Sequence, residues 1–331
     1  MIDFRYHLVS LISVFIALAV GIILGAGPLQ GALGETLTRQ VDTLREERNV
    51  LRAQLDDTTG KLAADEAFLA AAGPRLLDEV LTGRRVAVVG LGDVPSGTRA
   101  GVIDQLETAG ADVVVSAKLP MSWTEADDES TRTTVADGLR DTLADAGVET
   151  IEDNPVATLA SAVTLALTGT ESAGERSMTA LDLEQQLTTF GLLRTADEQT
   201  VPATAVVLLS AAAEPDEATA EAEAEDGDAE TATPEPANPR YAGDVWAGAV
   251  LGVERVAGTA VLAGPATDGD DVVQRVRSDD GLAREVSTVS EVTELAGRIT
   301  VPLALASTLT GYVDHYGPEA DTAVIPPAPE D

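Results

Sequence analysis

The sequence predicts an α/β fold: a single N-terminal transmembrane helix and a coiled-coil stalk, followed by an α/β domain with a largely parallel sheet. Three observations predict it. Residues 8–27 are apolar and uncharged, leucines recur in heptads from Leu37 to Leu69, and short aliphatic runs alternate with helical spacing from residue 83 onward.

Residues 1–7 form a short tail before the transmembrane segment, LVSLISVFIALAVGIILGAG. At 1.5 Å per residue this stretch spans about 30 Å, the hydrocarbon thickness of a bilayer. A cleaved signal peptide is the alternative. Against it, Asp3 offsets Arg5, and Pro28 follows the small residues where cleavage would fall. Ala17, Gly21 and Gly25 recur every four residues and share one face, the spacing that lets two membrane helices approach closely. Glycine is also common in membrane helices that have no such role. Arg5 and the amino terminus favour an N-inside, single-pass placement in a cell membrane, with the acidic bulk of the chain outside the cytoplasm.

A hinge of Gly27, Pro28, Gly31 and Gly34 leads into the stalk, residues 34–72. Leu37, Leu44 and Leu51 take heptad position d, and Val41, Leu55, Leu62 and Leu69 take position a. Arg48 intrudes at a, and Thr58 and Asp65 at d; such residues weaken a seam but can fix its register. With mixed-sign flanks from Glu35, Arg39, Arg45 and Glu46, the pattern predicts a parallel homodimer. The alternative is a lone amphipathic helix lying back on the domain. Gly73-Pro74 is expected to end the stalk.

The α/β domain is expected over residues 83–318. Val86–Val89 reads as a buried strand, Thr98–Ala109 as a helix closed by Gly110, and Val113–Val115 as the next parallel strand. Gly90 and Gly92 match the first two glycines of a dinucleotide-binding turn, but the third position is Pro95. Ser116 and Ala117 stand where an acidic residue would hold ribose, so the motif is broken. Helices follow over 133–146, 155–167 and 181–193, the last with an apolar face of Leu183, Leu187 and Phe190. A strand at 205–209 precedes an acidic insertion, 211–239, whose composition predicts disorder. Beyond it come a helix at 244–256, a strand at 259–262 and a strand at 286–288. The final helix has Pro302 in its first turn, and 319–331 is a Pro-rich flexible tail.

In open parallel sheets ligands bind beyond the carboxyl ends of the strands, so Gly90, Gly92, Asp93 and Ser96 form a tentative rim site. The alternative is an ordinary βα turn in which Ser96 caps the helix. The net charge is −35, which repels nucleic acid. Without cysteine there are no disulfides, thiolate nucleophiles or thiolate metal sites. Two histidines and three methionines leave few soft-metal ligands, and no Ser-His-Asp set can be assembled. His315 is expected to pack or cap. No catalytic, cofactor or metal residue is assigned.

MIDFRYHLVSLISVFIALAVGIILGAGPL at the start, the heptads, GRRVAVVG at 83–90, REVSTVSEV at 284–292 and HYG at 315–317 together resemble the actinobacterial MctB-like family of copper transport outer-membrane proteins. The likeness covers the chain apart from the acidic insertion. It extends in outline to SteB, and so implies an envelope or membrane protein partner similar to SteA. By that resemblance alone, copper export or homeostasis and outer-membrane association are expected. The residues themselves show no alternating barrel strands. They favour a non-enzymatic dimeric scaffold. A copper-export or channel component, and a nucleotide-binding enzyme with a degenerate Gly-rich loop, are the alternatives.

Overall fold

The computed structural model describes residues 4–26, 28–151, 153–171, 174–196, 198–212, 239–267 and 269–327. The expected disorder of the acidic insertion falls on residues 213–238, which lie outside the described residues, as does Gly27 of the hinge. The chain divides into two units, Met1–Ala67 and Phe68–Asp331.

In the first unit, α1 spans Phe4–Ala26 and α2 spans Pro28–Leu76. Helix α1 therefore starts one turn before the expected residue 8, with the polar flank Arg5 and His7 included in the helix. Tyr6–Ile23 is long and apolar enough to cross a bilayer, and its side chains are exposed. The hinge is corrected: from Pro28 onward the backbone is helical, Gly31 and Gly34 included. Each glycine costs a helix about 1 kcal/mol, but Pro28 suits a first helical position and the neighbouring Leu, Gln, Ala and Glu are good helix formers. Val41, Leu44, Leu51, Leu55 and Leu62 expose between 42% and 65% of their surface, an open apolar stripe. Asp42–Arg45 (3.1 Å) and Asp57–Lys61 (2.8 Å) ion pairs flank it.

The second unit begins inside α2. Pro74 does not stop the helix, which runs on to Leu76. Leu69, Leu77 and Leu81 pack into an apolar cluster with Ile299, and Gly73 lies so close to Ile299 that a Cβ there would approach it to 2.9 Å. That burial holds the last turn despite the missing N–H. Leu69, half-buried, packs against that cluster.

Seven strands form one sheet in the order β3-β2-β1-β4-β5-β6-β7. They are β1 (Arg85–Leu91), β2 (Asp112–Leu119), β3 (Arg194–Thr195), β4 (Ala205–Ser210), β5 (Ala260–Ala263), β6 (Ser287–Val289) and β7 (His315–Tyr316). All neighbours are parallel except β2 and β3. The central strands β1, β4 and β5 are mostly aliphatic and buried because both faces are covered. On one face Val86 and Val88 meet α3 (Ser96–Thr108) and α10 (Leu295–Leu309). On the other, Ala87, Val89 and Leu91 meet α4 (Glu129–Asp145), α5 (Pro155–Thr168), α6 (Met178–Thr189), α7 (Pro239–Ala257) and α8 (Val272–Ser278). A short α9 (Leu282–Glu285) leads into β6. The chain winds from β1 to β2 in one direction and from β4 to β5 in the other, so right-handed crossovers put α3 and α7 on opposite faces. The order reverses between β1 and β4.

Helix α5 is buried almost throughout, and α4, α6 and α7 pack against it. Its start is fixed by Asn154, whose Oδ1 accepts from Ala157 N at 2.9 Å, with Pro155 in the first turn. Small residues make the α5–α7 contact close. Ser161 Oγ donates to Gly252 O (3.0 Å), and a Cβ on Gly252 would lie 2.1 Å from Ala157 O.

Several expectations need correction. Pro302 lies in the interior of α10, which starts at Leu295. An interior proline costs about 3 kcal/mol, but Ile299, Val301, Ala304 and Leu305 are buried and hold the helix on the sheet. Phe190 caps α6 and is exposed, while Leu183 and Leu187 are buried. The two-residue strands β3 and β7 are too short to leave a periodic signature. The domain does not end at residue 318. Ala323 N donates to His315 O (2.8 Å), Gly317 N donates to Ala323 O (3.0 Å), and Pro326 is buried.

Candidate functional site

The strand order places the crevice of this fold where β1 and β4 end, at the point of reversal. Leu91 and Ser210 are paired there, and the tentative rim residues lie beside them. Gly92 turns the chain with φ +69, a left-handed conformation that a side chain would strain. Asp93, mostly exposed, makes an ion pair with Lys118 at the end of β2. Ser96 is the first residue of α3; Pro95 holds the capping position and no side chain caps the helix, so a capping Ser96 is corrected.

The rim is filled by the chain's own side chains. Over Gly90 lie Val94 and the guanidinium of Arg99, whose Nη2 donates to Val94 O (3.3 Å). A Cβ on Gly92 would come within 2.6 Å of Met121 Sδ and 3.5 Å of Trp246. Trp246 stacks on Trp123 with centroids 6.2 Å apart and an interplanar angle of 22°, and Trp123 Nε1 donates to Leu192 O (2.8 Å). In a dinucleotide site the same two glycines leave room for a pyrophosphate. Here methionine and tryptophan occupy the space beside the second one.

Behind the tryptophans, Arg132 is 2% exposed. Its Nη1 donates to Ser122 O and Glu125 O (both 2.7 Å), and its Nη2 donates to Tyr241 OH (2.9 Å). One guanidinium thus ties the turn after β2 to the start of α7. The same end of α7 is held to α8 by Arg275, paired with Asp244 (2.5 Å) and Asp270 (2.8 Å).

A second polar cluster closes the far side of the sheet. Arg277 Nε donates to Thr288 Oγ1 (2.8 Å), its Nη2 to Tyr316 O (2.9 Å), and its Nη1 pairs with Glu319 (3.3 Å). Ser290 Oγ donates to Glu319 Oε2 (2.9 Å), and Thr288 Oγ1 meets His315 Nδ1 at 2.9 Å. Burial, and then the Arg277 charge, lower the His315 pKa below its usual 6.5. For Glu319, burial alone would raise the carboxyl. Its own N–H, Ser290 and Arg277 outweigh that and leave it below the usual 4.5. Both groups bind protons more readily unfolded, so both contribute stability at neutral pH that is lost on acidification. His315 and Glu319 therefore pull the thermal midpoint down as pH drops below 6.5 and below 4.5 respectively, while Glu254, raised above 4.5 first by burial, acts in the opposite direction. Melts of the full chain and of His315→Gln between about pH 7.5 and about pH 5 check the His315 part: the native midpoint should lose more than the variant's, and equal slopes would contradict it.

Among the described residues, no three of His, Asp or Glu come together to hold a metal ion. Ala17 and Gly21 are exposed on α1, and Gly25 lies in the same helix. Leu37 falls within α2. Sequence reasoning missed the Trp123–Trp246 stack, the Arg132 anchor and the Arg277–Glu319 cluster. The first had a signal: two tryptophans in a chain with 3% aromatics are both expected to bury.

A span-length apolar helix and a doubly wound α/β domain with a self-filled rim fit a membrane-associated α/β protein. The chain belongs to the MctB family: the family profile described as copper transport outer membrane protein, MctB, matches residues 1–327. Proteins named copper transporter MctB from Mycobacterium bovis and Mycobacterium tuberculosis are each 28% identical to it over 326 residues, 96% of both chains.

Proposed function

We propose that this chain is a non-enzymatic envelope scaffold of copper homeostasis, anchored by α1 and paired in parallel with a second copy through the heptad stripe of α2. The open stripe of Val41, Leu44, Leu51, Leu55 and Leu62 carries this reading. An isolated helix with that much exposed aliphatic surface at heptad spacing gains by burying it against a partner. Ala17, Gly21 and Gly25 offer the matching close approach within the bilayer. The small-residue and heptad faces belong to neighbouring helices and act together. The bulk of the chain lies outside the cytoplasm, and the domain recruits an envelope or membrane protein partner similar to SteA.

In this reading the chain affects copper through its partner and does not itself ligate the ion. Thiols are absent, two histidines and three methionines are spread along the sequence, and copper sites favour those ligands. Calorimetry of the full chain in detergent with copper, against a chelator control, is expected to show no stoichiometric binding. Tight one-to-one binding would overturn it and favour the second reading, a copper-export component, which family membership supports. A degenerate nucleotide enzyme finds little support, because Met121 and Trp246 crowd Gly92.

A further inference from the structure

We propose that His315 is the sensing residue of a pH-dependent latch that holds residues 317–326 on the β6–β7 edge of the sheet, closed when the imidazole is neutral and released when it is protonated.

Donor accounting fixes the closed state. A guanidinium has only donors, so Thr288 Oγ1 accepts from Arg277 Nε at 2.8 Å. In the closed state the hydroxyl proton of Thr288 is given to His315 Nδ1, 2.9 Å away, which requires the neutral ring with Nδ1 unprotonated. The neutral ring keeps its proton on Nε2, facing the backbone of Ala283 in α9. Arg277 is thereby aimed at its other two partners, Tyr316 O (2.9 Å) and Glu319 (3.3 Å). Ser290 Oγ reaches the same pair, at 3.2 and 2.9 Å. Thr322 Oγ1 donates to Gly317 O (2.9 Å) and Glu319 O (2.8 Å), and the Ala323–His315 backbone bond closes the segment on the edge.

Protonation of His315 puts a donor on Nδ1. Thr288 Oγ1 can accept from both donors through its two lone pairs, but its own proton would lose its acceptor at Nδ1. The imidazolium would also stand beside the Arg277 cation in a half-buried setting, where like charges repel more than in water. The charged groups around the ring are Arg277 from α8, Asp314 beside it in the chain and Glu319 beyond Arg277; β6 contributes only the Thr288 hydroxyl. Asp314 favours the imidazolium, but its carboxylate already accepts the His315 N–H (2.8 Å) and the Tyr312 hydroxyl (3.1 Å). What gives way is the Arg277 grip on Tyr316 and Glu319, and with it the segment they hold.

Hydrogen exchange on the full chain in detergent tests this, followed on the peptide covering residues 312–327 and corrected for the intrinsic pH dependence of exchange. Protection is expected to fall severalfold between about pH 7.5 and about pH 5. That interval lies above the Glu319 window. His315→Gln keeps an acceptor for Thr288 and cannot titrate, so its protection should stay level. Unchanged protection in the native chain, or an equal fall in the variant, would overturn the latch. An imidazole NMR titration stands apart from any variant: with His7 the only other histidine, His315 should titrate below 6.5 as the Nε2–H tautomer. A value at or above 6.5, or the Nδ1–H tautomer, overturns it equally.

Discussion

Gly252→Ala should destabilise the α/β domain by about 3 kcal/mol or more, the upper range for forcing atoms into a packed interior. Its Cβ would be placed 2.1 Å from Ala157 O and 2.8 Å from Ala160 Cβ. The first of these is backbone inside α5, so relief requires the helices to separate. Helix α5 cannot move freely, because α4 and α6 pack on its other sides. Separation also stretches the Ser161–Gly252 hydrogen bond. Gly60→Ala is the matched control. Gly60 is helical with nothing within 4 Å, so the same substitution there should stabilise the helix by about 1 kcal/mol. Thermal melts of both variants separate the two outcomes: a large fall for residue 252 and none for residue 60. A Gly252 variant that melts like the native chain would mean the α5–α7 contact is looser than described.

Trp246→Ala is expected to cost about 3–5 kcal/mol, the range for truncating a large buried aromatic. The ring is 6% exposed, stacks on Trp123 and lies against Gly92. Losing it removes the stack and the cover over the β1 turn. Trp246→Phe should recover part of the loss, because a smaller ring still stacks. Chemical unfolding of the two variants checks the order, native above Phe above Ala. Equal stability of all three would show that the rim does not depend on this ring.

How much of this was legible in the sequence depends on the range of the interaction. The apolar span, the heptads and the βαβ unit follow local periodicity, and α1, α2, β1, α3 and β2 appear where short-range patterns point. Gly31 and Gly34 misled because glycine weakens a helix without forbidding one, and cooperative propagation carried the helix past them. Pro74 and Pro302 misled for a tertiary reason, since burial beside them outweighs the lost backbone bond. The broken glycine motif was readable as broken, but what fills the gap was not. Met121 and Trp123 share one turn, but Trp246 lies more than a hundred residues further along the chain. The Arg277, Thr288, His315 and Glu319 cluster likewise joins a helix, two strands and a segment expected to be a free tail.

The central claim, a parallel pair of identical chains joined along α2, can be tested with single cysteines, because the chain has none of its own. Oxidative cross-linking in native membranes would compare Leu44→Cys and Leu51→Cys, both at position d, with Ala53→Cys at the outward position f. A parallel coiled coil brings only the seam residues within disulfide reach, about 4 Å between Cβ atoms. The account predicts linked dimers for residues 44 and 51 and little for residue 53. Cross-linking equal at all three positions, or absent from all three, would contradict it.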